Sequence, residues 1–232
     1  MDFILDGIQE AIKLLLSLDE EVLQITFLSL QLSGIATLIS LLIGLPAGTL
    51  LALRRFRTQR LWLTVANTGM ALPPVVVGLV VALMLWRSGP LGSLGLMYSP
   101  TAIVIAQVII ATPVMIGLTV AALQQLDPSL RLQLLGLGAS PTQMVWILWK
   151  EARLPLLAAL MAAFGAAISE VGAVLMVGGN LRGYTRVLTS AIVLETGKGA
   201  FVPAIALGVI LLLVAFLINL GLTLIQQGKR GN

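Results

Sequence analysis

The feature that most constrains this chain is a series of long apolar segments, the first of which runs from Val22 to Leu53 without a charged residue. As a helix with a rise of 1.5 Å per residue it would be about 48 Å long, more than the roughly 30 Å of a bilayer's hydrocarbon core. It is too short for two crossings and a turn, so it predicts one span that tilts or projects. Pro46, between Gly44 and Gly48, predicts a bend that could serve packing or transport.

Four further spans are predicted at residues 61–86, 100–123, 154–177 and 202–225, which makes five in total. Pro73 and Pro74 predict a kink in the second span, again with a packing or a cavity-forming role. The apolar runs lack the alternation of a membrane barrel strand, so helices are the expected spanning elements. With 58% hydrophobic and 10% charged residues, the fold class is an all-α, polytopic helical membrane protein.

Composition also excludes several kinds of chemistry. The chain has no cysteine and no histidine, which removes thiolate nucleophiles, histidine bases and the usual zinc or copper ligands. We therefore expect no catalytic residue, no metal site and no cofactor in this chain. The formal charge is +4, but the basic residues lie in short loops rather than on one dense face, so nucleic-acid binding is not expected.

The distribution of charge predicts the topology. Arg54, Arg55, Arg57 and Arg60 crowd the first short loop, which the positive-inside rule places in the cytoplasm. The amino terminus is then outside, and the tail of residues 227–232, with Lys229 and Arg230, is inside. Residues 1–21 are predicted to form an amphipathic segment ahead of a membrane domain at 22–226. Its apolar positions recur at helical spacing: Phe3, Ile4, Gly7, Ile8, Ala11, Leu14, Leu15 and Leu18.

The cytoplasmic loop at residues 124–153 contains start and stop signals for two short helices. Asp127 followed by Pro128 is typical of a helix start, and Gly136 and Gly138 predict its end. Ser140 can then cap a second helix that Pro141 opens. An ordinary helical hairpin between two spans would have the same pattern.

The stretch LGLGASPTQMVWILWKEARLP in this loop resembles the conserved cytoplasmic loop of permeases in ATP-binding-cassette importers. In that family the loop docks a separate ATPase subunit. The resemblance implies that docking falls on Gly138, Ala139, Ser140 and Pro141.

Polar residues near the end of the fourth span form a second candidate site. Glu170, beside Ser169, interrupts an apolar segment, where an unpartnered charge costs about 3 kcal/mol. Either it acts in transport or it makes an internal hydrogen bond between helices. Because a carboxylate repels an oxyanion, we expect it to gate the path or to pair with Arg182 or Arg186. The groups that could recognise an oxyanion follow in the next loop: Asn180, Arg182, Thr185 and Arg186.

That loop is predicted to lie outside, yet it carries Arg182, Arg186 and Lys198 against the positive-inside rule. Its arginines are therefore better explained by a function than by topology. The stretch AISEVGAVLMVGGNLRGYTRVLTSAIVLETGKG is similar to the corresponding part of tungstate permeases, and more distantly to that of molybdate permeases. Together with the first two spans, the resemblance covers residues 22–225.

The resemblance implies a type I importer permease in the cell membrane, with a homodimer forming the path for tungstate by alternating access. ATP would be bound and hydrolysed by a partner subunit, and an extracytoplasmic binding protein would select the ion. Molybdate, sulfate or another anion is the alternative cargo. A passive channel or a membrane scaffold is the alternative class, and neither would depend on an ATPase.

Overall fold

The structure, a computed structural model, describes residues 2–54 and 56–227, and throughout these residues the regular structure is helical. A short 3₁₀ turn at Gly92–Leu94 lies between the fourth and fifth α-helices. The α-helices are α1 Asp2–Leu16, α2 Glu20–Leu53, α3 Gln59–Ala71, α4 Pro74–Leu85, α5 Pro100–Gln124, α6 Pro128–Gly136, α7 Pro141–Glu151, α8 Arg153–Ile168, α9 Gly172–Gly178, α10 Leu188–Gly197 and α11 Phe201–Gln227.

The long helix α2 packs along α5 and forms the centre of the fold. It continues through Pro46 without ending, so the first predicted span is one element. The glycines on either side of Pro46 have a packing reason. A Cβ on Gly44 would lie 2.7 Å from the Met115 side chain, and one on Gly48 would lie 2.7 Å from the Thr119 side chain, both on α5. Small residues here allow the two helices to approach closely.

Three helices are long and apolar enough to cross a membrane alone: α2, α5 and α11. The number reaches five, as predicted, when α3 with α4 and α7 with α8 each count as one bent span. The α3–α4 pair bends by 100° at Leu72 and Pro73, where the Pro73–Pro74 pair was expected to kink the second span.

The fourth predicted span is wrong in its bounds. Residues 154–177 are not one helix, because α8 ends at Ile168 and α9 begins at Gly172. In the structure α8 instead follows α7 across a bend of 75°, and α7 lies within the loop predicted at residues 124–153. Hydrophobicity alone did not reveal the break at residues 169–171, where buried polar side chains bond to backbone groups at the helix ends.

The amino-terminal segment forms the predicted helix as α1, which packs against α11. Gly7 is the closest point, since a Cβ there would lie 2.5 Å from the Ile205 side chain. Ala11 is fully buried in the same contact, whereas Phe3, Ile8 and Ile12 leave apolar surface exposed. The boundaries of a separate segment at 1–21, a membrane domain at 22–226 and a tail at 227–232 stay predictions, and the tail lies almost entirely outside the described residues.

Candidate functional site

Two polar clusters lie near opposite ends of α2. The first involves the loop between α9 and α10, which begins with Gly179 and Asn180, both with positive φ. Thr185 is fully buried inside this loop. Its hydroxyl donates to the Gly178 carbonyl at 2.5 Å and accepts from the Leu181 N–H at 2.9 Å. The two hydrogen bonds fold the loop back on itself and fix the positions of its arginines.

A second set of hydrogen bonds ties this loop to the start of α10. The Ser190 hydroxyl donates to Asn180 Oδ1 at 2.9 Å, and Asn180 Nδ2 donates to the Ser190 carbonyl at 3.3 Å. The Leu188 N–H donates to the hydroxyl of Ser29 on α2 at 2.8 Å. Asn180 and Thr185 therefore hold the loop in shape. Their predicted place in the path or gate stays a prediction.

The two arginines of the loop share one carboxylate, that of Glu21 in the first turn of α2. Arg182 Nε donates to Glu21 Oε1 at 2.9 Å, and its Nη2 bonds to Oε2, so this pair is bidentate. Arg186 Nη1 donates to the same Oε1 at 3.2 Å. The hydrogen bonds from Arg182 to Glu21, and then the charge of that carboxylate, raise the pKa of Arg182 above its ordinary value.

Sequence reasoning singled out both arginines but missed Glu21. A signal was present, since the acidic residues at positions 19–21 and the unexplained arginines were predicted to lie on the same side of the membrane. In the structure these groups line one cleft with a volume of about 850 Å³. The polar and aromatic side chains around it are those of Asp19, Glu20, Glu21, Gln24, Phe27, Arg182, Tyr184 and Arg186.

Glu170 is buried and bonds to neither Arg182 nor Arg186, so the expected pairing with these arginines was wrong. Its Oε1 accepts a hydrogen bond from the Ala173 N–H at 2.7 Å and thereby caps the first turn of α9. The hydroxyl of Thr189 donates to the Glu170 carbonyl at 2.9 Å. The carboxylate thus makes an internal hydrogen bond, but a local one at the start of α9 rather than the expected bond between two helices. The predicted role of Ser169 and Glu170 in the path stays a prediction.

Gln107, which was not singled out in the sequence, holds the other side of the same break. Its side-chain Nε2 donates to the Ala167 carbonyl at 2.9 Å and to the hydroxyl of Ser33 at 3.3 Å. A carbonyl in the last turn of a helix has no partner within that helix. Gln107 on α5 thus satisfies the end of α8, just as Glu170 satisfies the start of α9.

The second cluster lies near the other end of α2 and contains the predicted pair of short helices, α6 and α7. Asp127 caps α6 by accepting from the Ser129 N–H at 2.8 Å. Gly138 turns the chain with φ of +75°, a conformation that favours glycine. Ser140 and Gln143 form a capping box, in which the Ser140 N–H donates to Gln143 Oε1 at 2.8 Å. The predicted helix, turn and helix are confirmed.

This helix pair is tied directly to α2. The Trp149 indole donates to the Thr49 hydroxyl at 2.8 Å, and Arg131 Nη1 donates to the Leu53 carbonyl at 3.0 Å. Apolar side chains on the outer surface of the pair remain exposed, with Leu137 83% and Trp146 67% exposed. The pair therefore combines a firm attachment to α2 with an uncovered apolar surface.

Broken apolar helices pack around one long central helix, and a capped helix pair lies at one end of it. The sequence profile described as "Binding-protein-dependent transport system inner membrane component" matches residues 44–231, and the chain belongs to this family. It is therefore a multi-pass membrane protein and a transport subunit. The predicted family and fold class are confirmed.

Named relatives cover almost the whole chain. The tungstate uptake system permease protein TupB of Peptoclostridium acidaminophilum is 39% identical over 98% of this chain and 100% of its own length. A probable anion ABC transporter permease protein of Haloferax volcanii is 42% identical over 84% of this chain and 86% of its own. A solved chain of the MetNI methionine ABC transporter, in an inward-facing conformation, is similar in fold, with a TM-score of 0.72 and 18% identity, covering 91% of this chain and 97% of its own.

Proposed function

We propose that this chain is the permease subunit of an ATP-driven tungstate importer. The observation that carries the proposal is the 39% identity to a tungstate uptake permease along 98% of the chain. Two copies of the chain would enclose the path, with the amino terminus outside and the carboxyl terminus in the cytoplasm. An external binding protein would deliver the ion, and two ATPase subunits would bind and hydrolyse ATP, which leaves this chain without a cofactor.

The ATPase would dock on the α6–α7 pair around Gly138, Ala139, Ser140 and Pro141. Exposed apolar side chains such as Leu137 and Trp146 suit a protein interface, where buried aromatic anchors contribute much of the binding energy. The capping box and the bonds to Thr49 and Leu53 make the pair rigid, so movement of the ATPase would be passed to α2. ATP binding would turn the path outward, and hydrolysis would reset it.

The cargo is supported on this chain by two guanidinium groups that line one cleft on the side where the ion would enter. Arginine recognises oxyanions through paired hydrogen bonds, but it distinguishes tungstate, molybdate and sulfate only weakly, because all three are tetrahedral dianions. The relative from Haloferax volcanii is described only as an anion permease, so its name does not distinguish between tungstate, molybdate and sulfate either. Tight selection would belong to the binding protein.

The test is ATP-dependent tungstate uptake by the permease reconstituted with its ATPase and binding protein, with molybdate and sulfate as competitors. Uptake that resists both competitors supports tungstate. Equal competition would reduce the cargo to a general oxyanion, and uptake without ATP would indicate a passive channel.

A matched pair of variants tests the docking site. Gly138 and Gly136 both have open space where a Cβ would be added, but only Gly138 has a positive φ. A β-branched side chain is strongly disfavoured at positive φ, so Gly138→Val should distort the turn and abolish ATP-dependent uptake. Gly136→Val should retain most of it. If Gly138→Val retained as much uptake as Gly136→Val, docking through this turn would be excluded.

A further inference from the structure

The carboxylate of Glu21 occupies the position that an oxyanion would take between the two arginines. It accepts three hydrogen bonds from guanidinium groups, two from Arg182 and one from Arg186. Carboxylates and tetrahedral oxyanions offer the same chemistry to a guanidinium group, which binds either through parallel, charge-assisted hydrogen bonds. Glu21 therefore acts as an internal counter-ion for both arginines.

Arg186 has a donor that Glu21 does not satisfy. Its side chain is only 16% exposed, and its Nε is buried without a hydrogen-bond partner among the described residues. Buried donors of this kind are uncommon in folded proteins. A carboxylate has two oxygens, whereas a tetrahedral oxyanion has four, so an oxyanion could satisfy donors that a carboxylate leaves free. The arginine pair thus has more hydrogen-bonding capacity than its present partner uses.

The cleft carries a net negative charge while Glu21 is in place. Three carboxylates, those of Asp19, Glu20 and Glu21, line the cleft with two guanidinium groups, which leaves one net negative charge. Asp19 accepts from the Val22 N–H at 3.0 Å, and Glu20 accepts from the Gln24 side chain at 3.1 Å. Of the three carboxylates, the one bonded to the arginines is that of Glu21.

We infer that Glu21 masks an oxyanion site formed by Arg182 and Arg186, and that the site binds a tetrahedral dianion when Glu21 moves away with the start of α2. The inference rests on the proposed function, because it assigns a step of oxyanion import to these residues. Masking prevents a dianion from binding until the loop and α2 separate. Glu21 itself does not bind the dianion; Arg182 and Arg186 do.

The test measures equilibrium tungstate binding by the purified permease–ATPase complex, without nucleotide or binding protein and at constant chloride. Glu21→Gln frees both arginines, so we expect tungstate to bind at least about tenfold more tightly than to the wild type. Glu20→Gln is the matched control, since it removes the same charge from the same cleft but has no bond to an arginine in the structure. The tungstate affinity of Glu20→Gln should differ little from that of the wild type.

A second variant shows whether the arginines hold the ion. Arg182 is 72% exposed, so its replacement leaves no buried cavity. Glu21→Gln combined with Arg182→Gln should lose the affinity that Glu21→Gln gains, while its thermal unfolding stays close to that of Glu21→Gln alone. If Glu21→Gln unfolds, Glu21→Asp provides a shorter carboxylate, for which we expect a smaller gain over the wild type.

Two results would overturn the inference: equal affinities for Glu21→Gln and Glu20→Gln, or a gain that persists without Arg182. Sulfate binding, measured in the same way, tests the masked site without assuming that tungstate is the cargo. If the wild-type importer does not transport tungstate but Glu21→Gln still gains arginine-dependent sulfate binding, masking is supported and tungstate is excluded. If tungstate is transported but Glu21→Gln gains nothing, the proposed function stands and masking does not.

Discussion

At the scale of single residues, Thr185 determines the shape of the loop that carries the arginines. Thr185→Val keeps the shape of the side chain but leaves the Leu181 N–H and the Gly178 carbonyl without their partner. Because an unsatisfied buried group such as the Gly178 carbonyl costs about 1–3 kcal/mol, we expect a clear loss of stability.

The measurement for Thr185→Val is thermal unfolding in detergent, with Thr196→Val as the control. Thr196 is exposed, and its hydroxyl bonds to the Ile192 carbonyl of its own helix. Its replacement should lower the unfolding temperature much less. Equal shifts for the two variants would show that the buried hydrogen bonds of Thr185 contribute little.

Asp127 provides a pH-dependent contribution to α6. Hydrogen bonds from the Ser129 backbone N–H, and then from its hydroxyl, hold the pKa of Asp127 below its ordinary value of 3.8. Since the folded pKa is the lower one, the stabilisation is complete above the unfolded value. It is lost as the pH falls from about 3.8 through the lowered folded pKa.

Ser129→Ala checks the cause of this shift. It removes the hydroxyl but keeps the backbone N–H, so the pKa of Asp127 should rise part of the way toward 3.8, as measured by NMR titration of its carboxyl carbon. A pKa that is the same in the variant and the wild type would contradict a contribution from the hydroxyl.

At the scale of elements, the crossing of α4 and α9 depends on Gly78. A Cβ there would lie 2.5 Å from the Cα of Ala173, so the two backbones must separate to accept it. Gly78→Ala should therefore destabilise the fold by about 1–3 kcal/mol. Gly34→Ala is the control, because α2 has open space at that position and alanine favours helix by up to about 1 kcal/mol. Unfolding of Gly78→Ala at or above the wild-type temperature would contradict this close contact.

The elements also show how far the sequence could predict the structure. Apolar length identified α2, α5 and α11, and cap residues such as Asp127 and Ser140 identified the helix pair, because these signals are local. The break after Ile168 was missed, because one of the backbone groups at it is satisfied by Gln107 from another helix. Glu21 was missed as the partner of Arg182 because 161 residues separate them in sequence. Contacts of that range follow from tertiary packing, which a periodic pattern does not encode.

At the scale of the whole molecule, the proposed orientation places the two polar clusters on opposite sides of the membrane. The chain has no cysteine, so a single introduced thiol reports its own side. Ser17→Cys, on the arginine side, should react with an impermeant maleimide in intact cells. Leu137→Cys should react only after permeabilisation, and less when the ATPase is bound. The opposite pattern of labelling would reverse the proposed topology.

The unbroken length of α2 has a mechanical consequence. Its 34 residues extend about 51 Å, well beyond the roughly 30 Å of hydrocarbon around it, so both ends stand clear of the bilayer core. If α2 tilts as one rigid body, its two ends move in opposite directions. A tilt of about 10° around its midpoint would carry each end about 4 Å, in opposite directions. A push on Thr49 and Leu53 at one surface would withdraw Glu21 at the other, with no need for a relay of side chains between them.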